Sequence, residues 1–103
     1  MLHRGFLSAA IAIAALILWA SEIHAATEGQ KCGTLAGIKC DAGLWCEPNA
    51  GRCGVVDAEG TCIKVPEICN KIVMPVCGCG GHTFENDCER RMSKTPKDHD
   101  GKC

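Results

Sequence analysis

Ten cysteines in a chain of 103 residues constrain the fold of this protein more than any other feature of its sequence. The density is far above average cysteine usage, and an even number in a short chain is typical of a disulfide framework formed in an oxidising compartment. We therefore expect every cysteine to be paired. Because large apolar side chains are scarce after residue 26, these bridges should hold the fold together in place of a large hydrophobic core.

The cysteines fall into two groups on either side of the segment 54–61, which is too short to be an independent linker. The first group is Cys32, Cys40, Cys46 and Cys53, and the second is Cys62, Cys69, Cys77, Cys79, Cys88 and Cys103. This grouping predicts two abutting modules, residues 26–57 and 58–103, with no bridge between them. Spacing alone leaves several pairings open within each module.

Residues 1–25 have the pattern of a signal peptide. A basic start at Arg4 precedes an almost unbroken apolar run over residues 6–20, and small residues follow at Ala25 and Ala26. A membrane anchor is the alternative, but the run is shorter than the roughly 20 apolar residues that cross a bilayer. We expect cleavage after Ala25 or Ala26 and a secreted monomer, extracellular or periplasmic, with no membrane association once the segment is removed.

Charge and residue types exclude several classes of function. With 11 basic against 12 acidic residues and a net charge of −1, the chain has no basic cluster for nucleic acid. Cys77, Cys79 and His82 offer soft metal ligands, but zinc sites usually need a second close pair of ligands elsewhere. Ser93 is the one serine after the signal segment, and no Cys-x-x-Cys motif is present. We therefore expect no metal, no cofactor and no enzymatic activity.

Turn-forming residues predict small hairpins in both modules. In the first module, glycines and Pro48-Asn49 punctuate short extended pieces such as residues 44–46, with no room for a helix. In the second, residues 75–78 and 82–84 flank Gly80-Gly81, a dipeptide that permits the positive φ angles of a tight turn.

A short helix is predicted after the second hairpin. Asn86 suits the N-cap position, and Glu89 stands three residues later, as in a capping box. About two turns fit before Pro96, which ends the helix. The chain is therefore expected to form a small disulfide-rich α+β fold.

Two pieces of the second module, Pro75-Val76-Cys77-Gly78 and Gly81-His82-Thr83-Phe84-Glu85-Asn86-Asp87-Cys88, resemble the core signature of the Kazal family of serine-protease inhibitors. The seven residues between Cys69 and Cys77 and the ten between Cys77 and Cys88 agree with the family spacing. The sequence departs from the family pattern at Arg91, where the family has a cysteine, at Cys79, where a small residue is usual, and at Phe84, which replaces the usual tyrosine. The segment from Cys88 to Cys103 is also shorter than in animal-type members. The resemblance implies a Kazal-like module with a short hairpin and one short helix.

Resemblance also implies a disulfide pairing for each module. The Kazal pairing gives Cys69–Cys88 and Cys77–Cys103, which leaves Cys62–Cys79 as the remaining pair. The first module is similar, through Gly43-Leu44-Trp45-Cys46 and Arg52-Cys53, to the cysteine-rich hairpin unit of follistatin-like and insulin-like growth-factor-binding-like proteins. That similarity implies the pairs Cys32–Cys46 and Cys40–Cys53.

The function that the Kazal resemblance implies is inhibition of a serine protease by a rigid, substrate-like, tight-binding loop. The loop would present Asn70, Lys71, Ile72, Val73 and Met74 to the protease, with support from Pro75 and Asn86. Lys71 takes the position of the primary specificity residue, which indicates a trypsin-like partner because lysine reaches the acidic base of that pocket. Asn86 would hydrogen-bond the backbone on both sides of the Lys71–Ile72 bond. The alternative is a non-inhibitory extracellular protein-binding or structural module of the follistatin-like type.

Overall fold

The computed structural model describes residues 24–103, which form six strands and one helix. All but the last two residues of the predicted signal peptide, 1–25, lie outside this part of the chain. Within residues 24–103, no helix has both the length and the apolar character needed to cross a membrane. The strands make two antiparallel three-stranded sheets, so the protein is a small disulfide-rich α+β fold, as predicted.

The first sheet contains β1 (Lys31–Gly33), β2 (Leu44–Pro48) and β3 (Glu59–Lys64), in the order β1-β3-β2. Because β3 lies between the other two strands, β1 and β2 pair with it and not with each other. The predicted module boundary at residues 57/58 is therefore wrong, since it would cut off the central strand. We call residues 24–64 the N-terminal region and residues 65–103 the C-terminal region.

The central position of β3 depends on a glycine. Gly60 lies opposite Cys32 on one side and Pro48 on the other. A Cβ atom added at Gly60 would come within 2.3 Å of the Glu47 carbonyl oxygen, which is closer than a side chain can approach. The sheet closes over a small core of Ala26, Cys32 and Cys62.

The second sheet contains β4 (Val76–Gly78), β5 (His82–Phe84) and β6 (Lys97–Asp100), in the order β5-β4-β6. The β4–β5 hairpin turns through Gly80 and Gly81, which both have positive φ as expected for this turn. Helix α1 (Asp87–Met92) follows β5.

Helix α1 begins where the sequence predicts but ends earlier, at Met92, before the Lys94 and Pro96 that were expected to mark its end. Asn86 is its N-cap, in extended backbone geometry, and its side-chain oxygen accepts from the Glu89 N–H at 2.9 Å. After the C-cap residue Ser93, the chain turns at Lys94, with φ 50°, and Pro96 precedes β6. The helix places Asn86 at the end that faces the loop before β4.

All ten cysteines are paired in the structure, and three of the pairs are those that the resemblances imply: Cys32–Cys46, Cys69–Cys88 and Cys77–Cys103. The other two are Cys40–Cys62 and Cys53–Cys79, with Cα atoms 5.6 and 5.5 Å apart. The expected pairs Cys40–Cys53 and Cys62–Cys79 are therefore wrong, as is the expectation that no bridge crosses between the two cysteine groups.

The position of β3 explains why Cys40 and Cys79 have other disulfide partners than expected. As the central strand it carries Cys62 into the first sheet, opposite Cys46 and fully buried, where Cys40 is its neighbour. Cys53 is then free to reach the second sheet, where the Gly51 N–H also donates to the Lys97 carbonyl at 3.0 Å. Cys53–Cys79 thus becomes a disulfide link between the two regions.

Candidate functional site

The segment 70–74 lies outside regular secondary structure and is exposed along its whole length. Ile72 is 58% exposed, Val73 76% and Met74 69%, so three large apolar side chains of one short segment face the solvent. Lys71 is exposed beside them and is the one charged residue of the segment. We call residues 70–74 the exposed loop. Apolar side chains in this number on one loop are typical of a contact surface for another protein.

Both ends of the exposed loop are fixed to the C-terminal region. On the N-terminal side, Cys69 is bridged to Cys88 in helix α1. On the C-terminal side, the Met74 N–H donates to the Glu85 carbonyl at 2.8 Å. Pro75, which has a fixed φ and no N–H, accepts from the Gly101 N–H at 2.8 Å and leads into β4. The loop therefore has little freedom to move away from the body of the protein.

Asn86 holds the middle of the exposed loop. Its side chain is buried, with 8% of the residue exposed. The amide Nδ2 donates to the Asn70 carbonyl at 3.1 Å and to the Ile72 carbonyl at 2.7 Å. These carbonyls lie on the two sides of Lys71, and the structure thus contains both hydrogen bonds that the resemblance predicts. One amide group fixes the backbone around Lys71 while its oxygen caps α1.

Behind Asn86, the helix is anchored by Arg90, whose side chain has no exposed surface. Its guanidinium donates to Glu47 Oε1 at 2.6 Å, to Asp87 Oδ1 at 2.9 Å and to the Thr95 carbonyl at 2.8 Å. A buried cation needs such partners because burial removes its hydration. Arg91 adds a further bond, from Nε to Glu47 Oε2 at 3.0 Å. Helix α1 is therefore tied by charge to strand β2 of the N-terminal region.

A second group of charges surrounds Asp87. Lys97 contacts it through Nζ–Oδ2 at 3.2 Å and also pairs with Asp100. Partial burial by itself raises the pKa of Asp87, but the hydrogen bonds from Arg90 and Lys97 outweigh this, and the pKa lies below its ordinary value of 3.8. The pKa of Lys97 lies above its ordinary value of 10.5, chiefly because of its hydrogen bond to Asp100. Partial burial lowers this pKa, but the interaction with Asp87 raises it again. The pair of Lys97 with Asp87 joins the start of α1 to β6, whereas the pair of Lys97 with Asp100 lies within β6.

The cysteines that could have been metal ligands are joined in disulfides. Cys77 is bonded to Cys103 and Cys79 to Cys53, so neither offers a thiolate to a metal ion. The groups of side chains that approach one another at metal-ligand distances within residues 24–103 also depend on bridged cysteines, in Cys32, Cys40 and Cys62 and in Cys77, Asp98 and His99.

Sequence reasoning missed the role of Glu47 and Arg90. The i, i+3 spacing of Asp87 and Arg90 was a local signal for one of the ion pairs. Nothing in the sequence connects Glu47 with Arg90, because 43 positions separate them and the contact depends on how the two sheets lie together.

A comparison of the chain with known protein-family models finds no match.

Proposed function

We propose that this protein is a secreted serine-protease inhibitor of the Kazal type and that the exposed loop binds the active site of a trypsin-like enzyme as a substrate does. The observation that carries the proposal is the pair of hydrogen bonds from Asn86 to the Asn70 and Ile72 carbonyls. They fix the backbone on both sides of the one loop residue whose side chain suits a specificity pocket, Lys71.

A fixed loop favours binding because association then requires little further loss of conformational freedom. Lys71 supplies the charge, since its ammonium group would pair with a carboxylate at the base of the pocket. Ile72, Val73 and Met74 supply apolar area on the side of the leaving group, where they are already exposed in the free protein. The loop thus needs no rearrangement to enter a cleft.

The bridges explain how such a loop would survive attack. If the Lys71–Ile72 bond were cut, Cys69–Cys88 and Cys53–Cys79 would still join the two pieces covalently. Asn86 would hold the new ends close together through Asn70 and Ile72. The Ile72 amine could then attack the acyl ester on the protease serine, re-forming the peptide bond and restoring the serine hydroxyl. Resynthesis would compete with release of the product.

Secretion belongs to the same proposal, because five disulfides in a small chain are typical of an oxidising compartment. Of the two expected cleavage points, we favour the one after Ala25. Ala26 is buried, its N–H donates to the Lys39 carbonyl and its carbonyl accepts from the Asp41 N–H, both at 2.8 Å. Cleavage after Ala25 keeps this residue in the core.

Substitution of Lys71 tests the function directly. Trypsin inhibition by the refolded protein should be retained in Lys71→Arg and weakened at least about 100-fold in Lys71→Glu, because an unpaired carboxylate would face the acidic pocket. Lys64→Glu, the same charge change on an exposed residue of β3, is the matched control and should inhibit like the parent.

Equal inhibition by Lys71→Glu and the parent would show that this residue does not enter the pocket. If the parent inhibits no trypsin-like enzyme at micromolar concentration, the alternative of a non-inhibitory binding module takes precedence. The exposed apolar side chains of the same loop would then contact an extracellular partner that does not cleave it.

A further inference from the structure

We propose that Glu47, in the N-terminal region, is a positioning residue for the exposed loop. It would act through helix α1, so that the first sheet contributes to the rigidity of a loop that belongs to the C-terminal region. The consequence for inhibition rests on the proposed function, whereas the consequence for loop rigidity does not.

The first step is the contact of Glu47 with two arginines of the helix. Glu47 lies in β2, and its side chain is 14% exposed. Its two carboxylate oxygens accept from Arg90 Nη2 at 2.6 Å and from Arg91 Nε at 3.0 Å. Both bonds have charged groups on both sides, but only the bond to Arg90 is sheltered from water, because the Arg90 side chain has no exposed surface whereas that of Arg91 is 41% exposed. The bond to Arg90 therefore meets the conditions under which an ion pair is strong.

The second step is that Arg90 fixes the helix internally. The Arg90 guanidinium, which contacts Glu47, also donates to Asp87 in the first turn of the helix and to the Thr95 carbonyl just beyond its last turn. A planar guanidinium makes these bonds at fixed angles, so its position sets the position of both helix ends. Without Glu47, Arg90 would lose one of its two anionic partners, and the less exposed of the two.

The third step connects the helix with the loop. Asn86 is the N-cap of α1, and its backbone carbonyl accepts from the Arg90 N–H at 3.2 Å. A shift of the first turn therefore moves the Asn86 side chain. Since Nδ2 must reach two carbonyls at 3.1 and 2.7 Å simultaneously, a small displacement weakens at least one of the bonds.

The disulfide between the two regions does not replace the contact of Glu47 with the arginines of α1. Cys53–Cys79 attaches the N-terminal region to the turn of the β4–β5 hairpin and not to helix α1. Arg91 lies on the helix, where the family pattern would have a cysteine, and it is Glu47 that holds it. The ion pairs of Glu47 thus restrain α1 relative to the first sheet, to which no disulfide joins the helix, because Cys88 of α1 is bridged to Cys69.

The test compares Glu47→Gln with Glu59→Gln. Glu59 is a matched control because it is also a glutamate of the first sheet in an ion pair, with Lys31 at 3.2 Å, and it has no contact with α1 among the described bonds. In the free protein, hydrogen exchange of the Met74 backbone amide, the loop amide that donates to the Glu85 carbonyl, and of the Asn86 side-chain amide should become about tenfold faster in Glu47→Gln and change less than twofold in Glu59→Gln.

Two further measurements, made well below the melting temperature of each variant, separate positioning from general destabilisation. Trypsin should cut the Lys71–Ile72 bond of Glu47→Gln about tenfold faster than that of the parent, with exchange protection in β1 and β3 unchanged. Unchanged loop exchange in Glu47→Gln, or equal loss of protection in the first sheet, would overturn the inference. A parent that does not inhibit trypsin would remove the proposed function but leave the exchange result readable.

Discussion

The two regions of this protein bury different kinds of side chain. In the N-terminal region the buried side chains are small and uncharged, namely Ala26, Cys32 and Cys62. In the C-terminal region, Val76 and Cys77 are buried together with Asn86 and with the charged Arg90. A core of uncharged groups is stabilised by contact area alone, whereas buried polar groups must also meet their partners at fixed distances and angles.

This difference matches what each region has to hold in place. Within residues 24–64, no buried side chain hydrogen-bonds to a loop, and a neutral core is sufficient for a framework. The second sheet has to keep a backbone segment in one conformation, and hydrogen bonds from Asn86 do so because they are directional. The polar core of the C-terminal region therefore serves geometry more than stability.

The largest effect should come from removing the buried cation of the C-terminal region. Arg90→Met fills the space but leaves Glu47 and Asp87 without their shared partner, and we expect a loss of about 3 kcal/mol in the free energy of unfolding. Arg91→Met is the matched control, since Arg91 shares Glu47 but its side chain is 41% exposed; we expect less than about 1 kcal/mol. Denaturant unfolding with the disulfides intact measures both, and equal losses would show that the burial of Arg90 does not make its charge more important to the C-terminal region than that of the exposed Arg91.

A smaller effect should separate the two tasks of Asn86. Asn86→Ala loses the helix cap and the two bonds to the loop, whereas Asn86→Ser keeps a capping oxygen but cannot span both carbonyls. We expect Asn86→Ala to be less stable than Asn86→Ser by about 1 kcal/mol, while both are cut at Lys71–Ile72 much faster than the parent.

Thermal unfolding and the rate of tryptic cleavage, corrected for the unfolded fraction, measure these two effects independently. If Asn86→Ser resists trypsin as well as the parent does, the bonds to Asn70 and Ile72 do not protect the loop.

The smallest effect concerns pH. Partial burial raises the pKa of Asp87, but the hydrogen bonds from Arg90 and Lys97 lower it further, so the folded-state value is below the ordinary 3.8. Ionised Asp87 therefore stabilises the fold above pH 3.8, and this contribution is lost as the pH falls through the lowered folded-state pKa.

The parent should be more stable to denaturant than Asp87→Asn at about pH 5, and this difference in denaturant midpoint should disappear by about pH 2. Using the difference between the two proteins removes the titration of the other carboxylates. A difference that stays constant over this range would show that Asp87 does not stabilise the fold through its charge.

Local sequence signals were sufficient for several elements of the fold. The Gly80-Gly81 turn and the Asn86 cap depend on neighbours within a few residues, so their residue types predict them directly. The exposed loop is also a local feature, since it lies between Cys69 and β4. Its contacts with Asn86 were predicted from resemblance, because 16 and 14 positions separate Asn86 from its loop partners and no periodicity connects them.

The sequence by itself therefore determined that the protein depends on disulfides and where its second hairpin and its helix lie. The tertiary structure decided the order of strands in the first sheet, and with it which cysteine Cys62 and Cys53 bind. It also decided that Glu47 lies against Arg90. The physical reason is the same in each case: a turn or a cap is an interaction between neighbours in the chain, whereas strand order and a buried ion pair depend on packing between segments that are distant in sequence.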